Sequence, residues 1–331
     1  SYEWMAAITL LVVGKFFLPL FIEKGIYTIP GFVEKRYSTQ LKTILAVFWI
    51  ALYVFVNIAS VMYLGALALE TILGIPMIYS IIGLSLFTAA YSLYGGLSAV
   101  AWTDVVQVVF LIIGCLATTY LALDAVSGGE GMLAGMQKVY TEAPDRFVMI
   151  LNSDHDEYSN LPGIAVLVGG IWVANLYYWG FNQYIIQRTL AAKSLKEAQK
   201  GILMAAILKI IIPLIVVIPG IAAYVMTTDP EIMNGLGELG QQNTPTMEAA
   251  DKAYPWLLQF LPAGLKGLAF AALSAAIVSS LASMLNSTST IFTMDIYKPY
   301  FNKKADDKSM VRVGRMSAAG ALIIGAIMAP L

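Results

Sequence analysis

The chain of 331 residues is 59% hydrophobic and only 12% charged, about half the charge of a soluble domain, which excludes a water-soluble globule and points to a membrane. A net charge of −1 excludes a nucleic-acid partner, because binding phosphates needs a basic footprint. One cysteine, Cys115, rules out an internal disulfide, and one histidine, His155, leaves haem, zinc and proton-relay schemes short of ligands.

About 20 apolar residues cross the hydrocarbon layer. Eight stretches reach that scale in chain order: 4–22, 43–69, 76–93, 99–123, 163–186, 201–226, 260–293 and 311–330. The first follows Ser1 directly, with no charged n-region or small-residue cleavage site, so it is not a signal peptide. The chain closes on GALIIGAIMAPL, still apolar, and both ends read as cuts in a longer protein. The seventh stretch is long enough to tilt or to continue past the bilayer. Two polar connections, 124–162 and 227–259, each hold a short helical pattern, GMLAGMQKVYTEA and TMEAADKAYPWLLQFL, suited to the membrane interface.

Basic residues orient the set. Lys24, Lys35, Arg36 and Lys42, then Arg188, Lys193, Lys196 and Lys200, then Lys298, Lys303, Lys304, Lys308, Arg312 and Arg315 fall on one side if there are eight spans. The opposite side holds Lys138, Arg146 and Lys252. Ser1 is therefore placed outside. The outer connections are acidic, and DHDE at 154–157 reads as a solvated loop rather than a metal site, because its spacing is not that of a ligand set.

Ionisable groups at bilayer depth are costly, about 2.5–3.5 kcal/mol on insertion scales, and so are functional candidates. Lys209, in ILMAAILKIIIPLIVVIPG, lies too deep to snorkel easily to either surface; its rival reading is a structural hydrogen-bond network. Glu3 and the stretch NLYYWGFNQYIIQR (175–188) are the other polar oddities. Asn175 and Tyr178, three apart, share a helix face, and Gly180 offers a place for the backbone to unwind. Irregular backbone at this depth survives only in protein or beside a wet cavity, and discontinuous helices build substrate sites in many transporters. An interfacial aromatic belt is the rival reading, better suited to Trp172 than to Asn175. Aromatic faces beside Asn, Glu and Lys suit a polyhydroxylated ligand, though the same set also suits a zwitterion. In SAAIVSSLASMLNSTST (274–290), Ala276, Ser279 and Ser280 share a face at i, i+3 and i+4. Two hydroxyls and a freed carbonyl are hard oxygen ligands of low charge, favouring a monovalent cation such as Na⁺; close helix packing on small residues is the alternative.

TIPGFVEKRY (28–37), SLYGGLSAVAWTDVVQ (92–107), QRTLAAKSLKEAQKG (187–201) and NSTSTIFTMDIYK (286–298) resemble the sodium/solute symporter family, its bacterial sodium/galactose (glucose) branch most closely. The resemblance implies an all-α polytopic membrane protein with the LeuT-like fold of two inverted five-helix repeats. Residues 1–123 would be helices two to five of the first repeat and 163–331 helices one to four of the second, with 163–186 as a broken helix. The first and last core helices would lie outside the chain. It further implies sugar-binding roles for Glu3, Asn175, Tyr178 and Lys209, with Tyr2 a weaker candidate, and a gate at Tyr178 beside Trp179. Sodium would be held by the Ala276 carbonyl and the Ser279 and Ser280 hydroxyls, with Asp104 on its exit route. A carboxylate stabilised at a helix N-terminus is an equal reading of Asp104.

The implied function is sodium-coupled import of a sugar, galactose or glucose, by alternating access across the bacterial inner (plasma) membrane. Na⁺ is the co-transported ion, no organic cofactor is needed, and the partners are sugar, sodium and lipid, with a homo-oligomer compatible. A symporter of the same scaffold for an amino acid such as proline, an organic anion or a vitamin is the nearer alternative. A channel or an intramembrane enzyme is the remoter one, and the enzyme lacks a nucleophile–base pair.

Overall fold

Hydrocarbon offers backbone N–H and C=O groups no partners, so a chain of this composition must satisfy them within itself. In the computed structural model, which describes residues 2–154, 158, 163–246 and 249–331 without the side chains of 93–99, every crossing segment is helical. The principal helices are α1 (Tyr2–Glu23), α2 (Ile29–Arg36), α3 (Thr39–Leu73), α4 (Met77–Val126), α5 (Met132–Glu142) and α6 (Gly163–Phe181). They continue with α7 (Gln183–Leu190), α8 (Leu195–Thr228), α9 (Ala253–Leu258), α10 (Ala263–Phe301) and α11 (Asp307–Met328). Of the DHDE stretch, residues 155–157 lie outside the described residues.

Four starts on the basic side carry their own caps. Thr28, Ser38, Ser194 and Asp306 accept hydrogen bonds from the N–H groups of Gly31, Leu41, Glu197 and Ser309 at 3.0–3.3 Å, satisfying donors that a helix otherwise leaves orphaned. At the far end of α3, Gly74 takes φ +68°, the left-handed stop that glycine adopts without strain.

Seven of the eight expected spans are long and apolar enough to cross a membrane among the described residues; the eighth, Met77–Ser92, is apolar but shorter. The expected separation into 76–93 and 99–123 is not a break in helix: α4 is one element of 50 residues. Its axis is nevertheless bent. Tyr91 and Thr103 would stand about 18 Å apart along a straight helix, yet their hydroxyls are hydrogen-bonded.

Three larger apolar clusters and a smaller one hold the helices together. On the basic side, Phe17 and Phe21 of α1, Phe32 of α2 and Phe181 of α6 form a ring cluster with centroids 5.1–6.3 Å apart, packed into a core with Trp49, Tyr53 and Ile202. The middle cluster joins α3, α4, α10 and α11 through Ile58, Met62, Leu84, Leu281, Leu285 and Leu322. Glycine makes the approach of α11 to α3 feasible: a Cβ on Gly325 would stand 2.4 Å from Ile58. The third cluster covers the outer helix ends with Val139 of α5 and Trp256 of α9, both fully buried. Both short segments expected at the interface thus pack one face inward.

The anticipated helix break falls at Asn182, not Gly180. Gly180 is buried within a π-type turn, Tyr177–Phe181, against Val13. Asn182 is the extended residue (φ −89°, ψ 117°) between α6 and α7. The difference is tertiary: Tyr53 of α3 plugs the gap. Its hydroxyl donates to Asn182 Oδ1 at 2.6 Å and accepts from the Gln183 N–H at 3.0 Å. Tyr53→Phe leaves two buried polar groups unanswered, at about 1–3 kcal/mol each. The expected result is a lower midpoint of thermal unfolding in detergent; an unchanged midpoint would show that the break is held by something else.

Candidate functional site

Lys209 lies about 21 Å along the axis from the start of α8, too far from either end for its ammonium to reach water easily. Glu3 answers it across the contact between α1 and α8: Lys209 Nζ stands 2.5 Å from Glu3 Oε2. One residue along each helix, the Trp4 indole donates to the Ile210 carbonyl at 3.3 Å and fixes the register of that contact. The two side chains are 18% and 28% exposed, so the pair is mostly removed from solvent, and removing one partner costs more than breaking a surface bridge.

The network continues into α6. Lys209 Nζ lies 4.8 Å from the centroid of the Trp179 ring, a cation–π distance. Trp179 Nε1 in turn donates to Asn175 Oδ1 at 3.2 Å. Asn175 is completely buried, and its amide donates to the Ile171 carbonyl at 2.9 Å. Glu3, Lys209, Trp179 and Asn175, from three helices, thus form one continuous polar chain that ends on the Ile171 carbonyl. The side-chain oxygen of Asn175 is met by Trp179, the residue after Tyr178. The wider turn at Tyr177–Phe181 puts Trp179, four residues on, against the amide.

Tyr178 turns the other way. Its ring meets Trp179 edge-on at 5.0 Å, and its hydroxyl is hydrogen-bonded to that of Tyr184 on α7. Tyr2 is exposed and lies within electrostatic reach of Tyr178. Beyond Tyr178 is a cavity of about 280 Å³. Ala276, Ser279, Ser280 and Ser283 of α10 form one wall, with Asp104 of α4 and Arg188 of α7 opposite. Tyr178 therefore borders both constellations that the sequence singles out.

α10 is continuous through this wall, so no bend frees the Ala276 carbonyl, which keeps its second lone pair; it, the Ser279 and Ser280 hydroxyls and the Asp104 carboxylate are the oxygens on offer. They are hard donors, which fit a hard cation. Asp104 is not at a helix start either, since α4 runs unbroken through it, and the dipole reading loses its geometry. Asp104 accepts instead from the Ser279 hydroxyl and pairs with Arg188, Nη2 to Oδ2 2.7 Å.

Arg188 is the cavity-lining residue that sequence reasoning missed. Counted above as a charge that sets orientation, it folds back from α7 into the serine wall. Its Nη2 donates to the Ser283 hydroxyl and reaches Ser279 Oγ at 3.5 Å, while Gln187 Nε2 holds the Ser283 carbonyl at 3.1 Å. The polar run right after the helix break was the available signal.

Comparison with known proteins adds three findings. The profile of the family described as "Sodium:solute symporter family" matches residues 1–330. The whole chain is 66% identical to a "Sodium/glucose cotransporter" of Vibrio parahaemolyticus, covering 61% of that protein, and 33% identical to the human "Sodium/myo-inositol cotransporter 2", covering 50% of it. The chain thus spans between half and two thirds of the length of these relatives. Among solved structures, the "Substrate-bound outward-open state of a Na+-coupled sialic acid symporter" superposes on 99% of the chain and 66% of its own, at TM-score 0.83 and 24% identity. That likeness is one of fold, the LeuT-like fold expected above.

The polar chain makes a prediction about stability. Glu3→Gln or Lys209→Met alone strands one charge of a mostly covered pair, at about 1–3 kcal/mol. The double variant is expected to recover part of that loss in thermal unfolding. Purely additive single effects would mean that the two groups do not depend on each other.

Proposed function

The chain belongs to the sodium:solute symporter family, and from that membership we propose that the full-length protein is a plasma-membrane symporter that couples sodium entry to import of a sugar. The observation that carries this reading is the shared wall. Tyr178 touches Trp179 of the Glu3–Lys209–Asn175 chain on one side and lines the serine–aspartate cavity on the other. A solute at the first and a cation at the second would meet the same side chain.

The first constellation suits a neutral, polyhydroxylated solute. Glu3 and Lys209 neutralise each other, so a zwitterion would have to separate them before using either. A sugar needs only exchange hydrogen bonds: its hydroxyls replace the contacts that Asn175, Trp179, Glu3 and Lys209 make among themselves, and an aromatic face covers its C–H surface. A site built on such bonds rejects analogues that lack the hydroxyls. The names of the two curated relatives, a glucose and a myo-inositol cotransporter, support the polyol class. The same-scaffold amino-acid reading predicts instead that proline competes and sugars do not.

At the second constellation, sodium and the Arg188 guanidinium seek the same oxygens. Asp104 carries one negative charge, and two unit cations 4 Å apart repel by about 4 kcal/mol at the effective dielectric near a protein surface. Sodium would therefore bind as Arg188 withdraws, releasing α7 from α10. Because α7 follows the break at Asn182, that release reaches Tyr178 and Tyr184. A ligand shifts a conformational equilibrium only through its different affinity for the two states. Displacement of Arg188 supplies that difference, and the coupling is reciprocal. Asp104 then stands where a leaving cation would pass. Placement of the helices in two inverted repeats, with 163–181 and 183–190 as halves of a broken helix, belongs to this same reading.

Uptake of radiolabelled galactose, glucose and proline by vesicles containing the full-length protein, with and without a sodium gradient, tests it. Sodium-dependent sugar uptake is expected, abolished in Lys209→Ala; normal uptake by that variant would remove the solute assignment. The sodium concentration for half-maximal uptake is expected to rise in Ser279→Ala and to fall in Arg188→Gln, each about three- to tenfold, the change worth about 1 kcal/mol. Unmoved sodium curves in both variants would place the cation elsewhere.

A further inference from the structure

On the basic side, the start of α3 and the end of α10 enclose a second polar cavity, of about 530 Å³, separate from the solute and cation positions. Its lining includes Thr39 and Lys42 from α3, Lys298 and Tyr300 from α10, and Lys303 beyond it, and holds no carboxylate. The walls are tied together by a 2.6 Å hydrogen bond between the hydroxyls of Thr43 and Tyr300. The charge of Lys42 is already committed. It lies 2.7 Å from Glu34 and 3.6 Å from the buried Asp295, neither of which lines the cavity, and its hydrogen bond holds the Glu34 carboxyl below its ordinary range. Lys298 and Lys303 make no ion pair among the described residues, and both are exposed.

The surroundings of the cavity are those of a leaflet boundary. Tyr300 and Phe301 are exposed aromatic rings, the kind that settle at headgroup level. Val47, one helical turn beyond Thr43 toward the bilayer, is exposed with its neighbours Ile44 and Phe48. Uncommitted ammonium groups therefore line a cavity whose α3 wall, Thr39 and Lys42, leads within about one helical turn to bare apolar side chains, on the face where basic connections gather.

We propose that this cavity binds the phosphate of an anionic phospholipid of the inner leaflet, seated by Lys298 and Lys303, with its acyl chains along Ile44, Val47 and Phe48. Basic pockets between helices on this side are the expected place for such headgroups. The proposal depends only on the membrane placement, not on the identity of the solute.

Native mass spectrometry of the full-length protein, titrated in detergent with phosphatidylglycerol or phosphatidylcholine, tests it. Phosphatidylglycerol is expected to be retained over phosphatidylcholine. Lys298→Gln/Lys303→Gln should weaken that retention by about 30-fold, while Lys193→Gln/Lys196→Gln, on another basic connection, should not. Equal retention by the first variant, or an equal loss in the second, would overturn the site. Thermal protection by inorganic phosphate as strong as that by phosphatidylglycerol would overturn the lipid and leave a soluble anion. Sodium-driven uptake in the Lys298→Gln/Lys303→Gln variant separates this proposal from the transport reading, since loss of lipid retention without loss of sodium coupling supports the first and spares the second.

Discussion

An ammonium group in the middle of a 34-residue apolar helix has to be answered by something other than water. Lys209 is answered twice, by the Glu3 carboxylate at 2.5 Å and by the face of Trp179 at 4.8 Å. Those two contacts dictate much else. Glu3 brings α1 against α8, and Trp179 brings α6 into the same groove and aligns Asn175 behind it. The hydrophobic clusters stabilise these helices in bulk, but apolar packing alone does not choose which faces meet. The ion pair does, because any other register would leave a charge in hydrocarbon.

A comparable demand shapes the second constellation, with a different solution. The hydroxyls of Ser283 and Ser287 bond back to carbonyls four residues earlier, at 2.8–2.9 Å, so α10 presents hydroxyl oxygens sideways without losing its regularity. Asp104 faces them, and Arg188 neutralises it at 2.7 Å. The guanidinium takes up the oxygens that a bound cation would need. Tyr178 connects the two regions, because successive residues of one wide turn face opposite ways: Trp179 toward the amide and Tyr178 toward the serines.

Much of this was legible in the sequence because transfer free energies are large and local. The spans stand out by hydropathy, and Lys209, Glu3 and Asn175 stand out as groups too costly to leave in lipid unless they meet. Ala276, Ser279 and Ser280 share a wall as their spacing requires. What sequence did not disclose is tertiary. The break settles at Asn182 rather than Gly180 because Tyr53, 129 positions away, supplies the hydrogen bonds. α4 is bent without being interrupted because backbone periodicity and axis direction are independent. Arg188 resembled every other basic residue of its connection until the fold returned it to the serines, for local charge does not say which way a long side chain turns.

The short helix Ile29–Arg36 crosses nothing, yet it is fastened to two distant parts of the chain. The Thr28 hydroxyl donates to Asp295 at 3.1 Å, the Ile29 N–H to the Gln183 side chain at 2.9 Å, and Gln183 returns a bond to the Tyr27 carbonyl at 3.0 Å. It thus acts as a strut between the lower end of α10 and the head of α7. At about 1 kcal/mol for each bond, shearing it is dearer than carrying it along. The head of α7 would then stay tethered to the lower end of α10 through α2 even as Arg188 leaves the serines, so that α7 pivots about Gln183 instead of coming away.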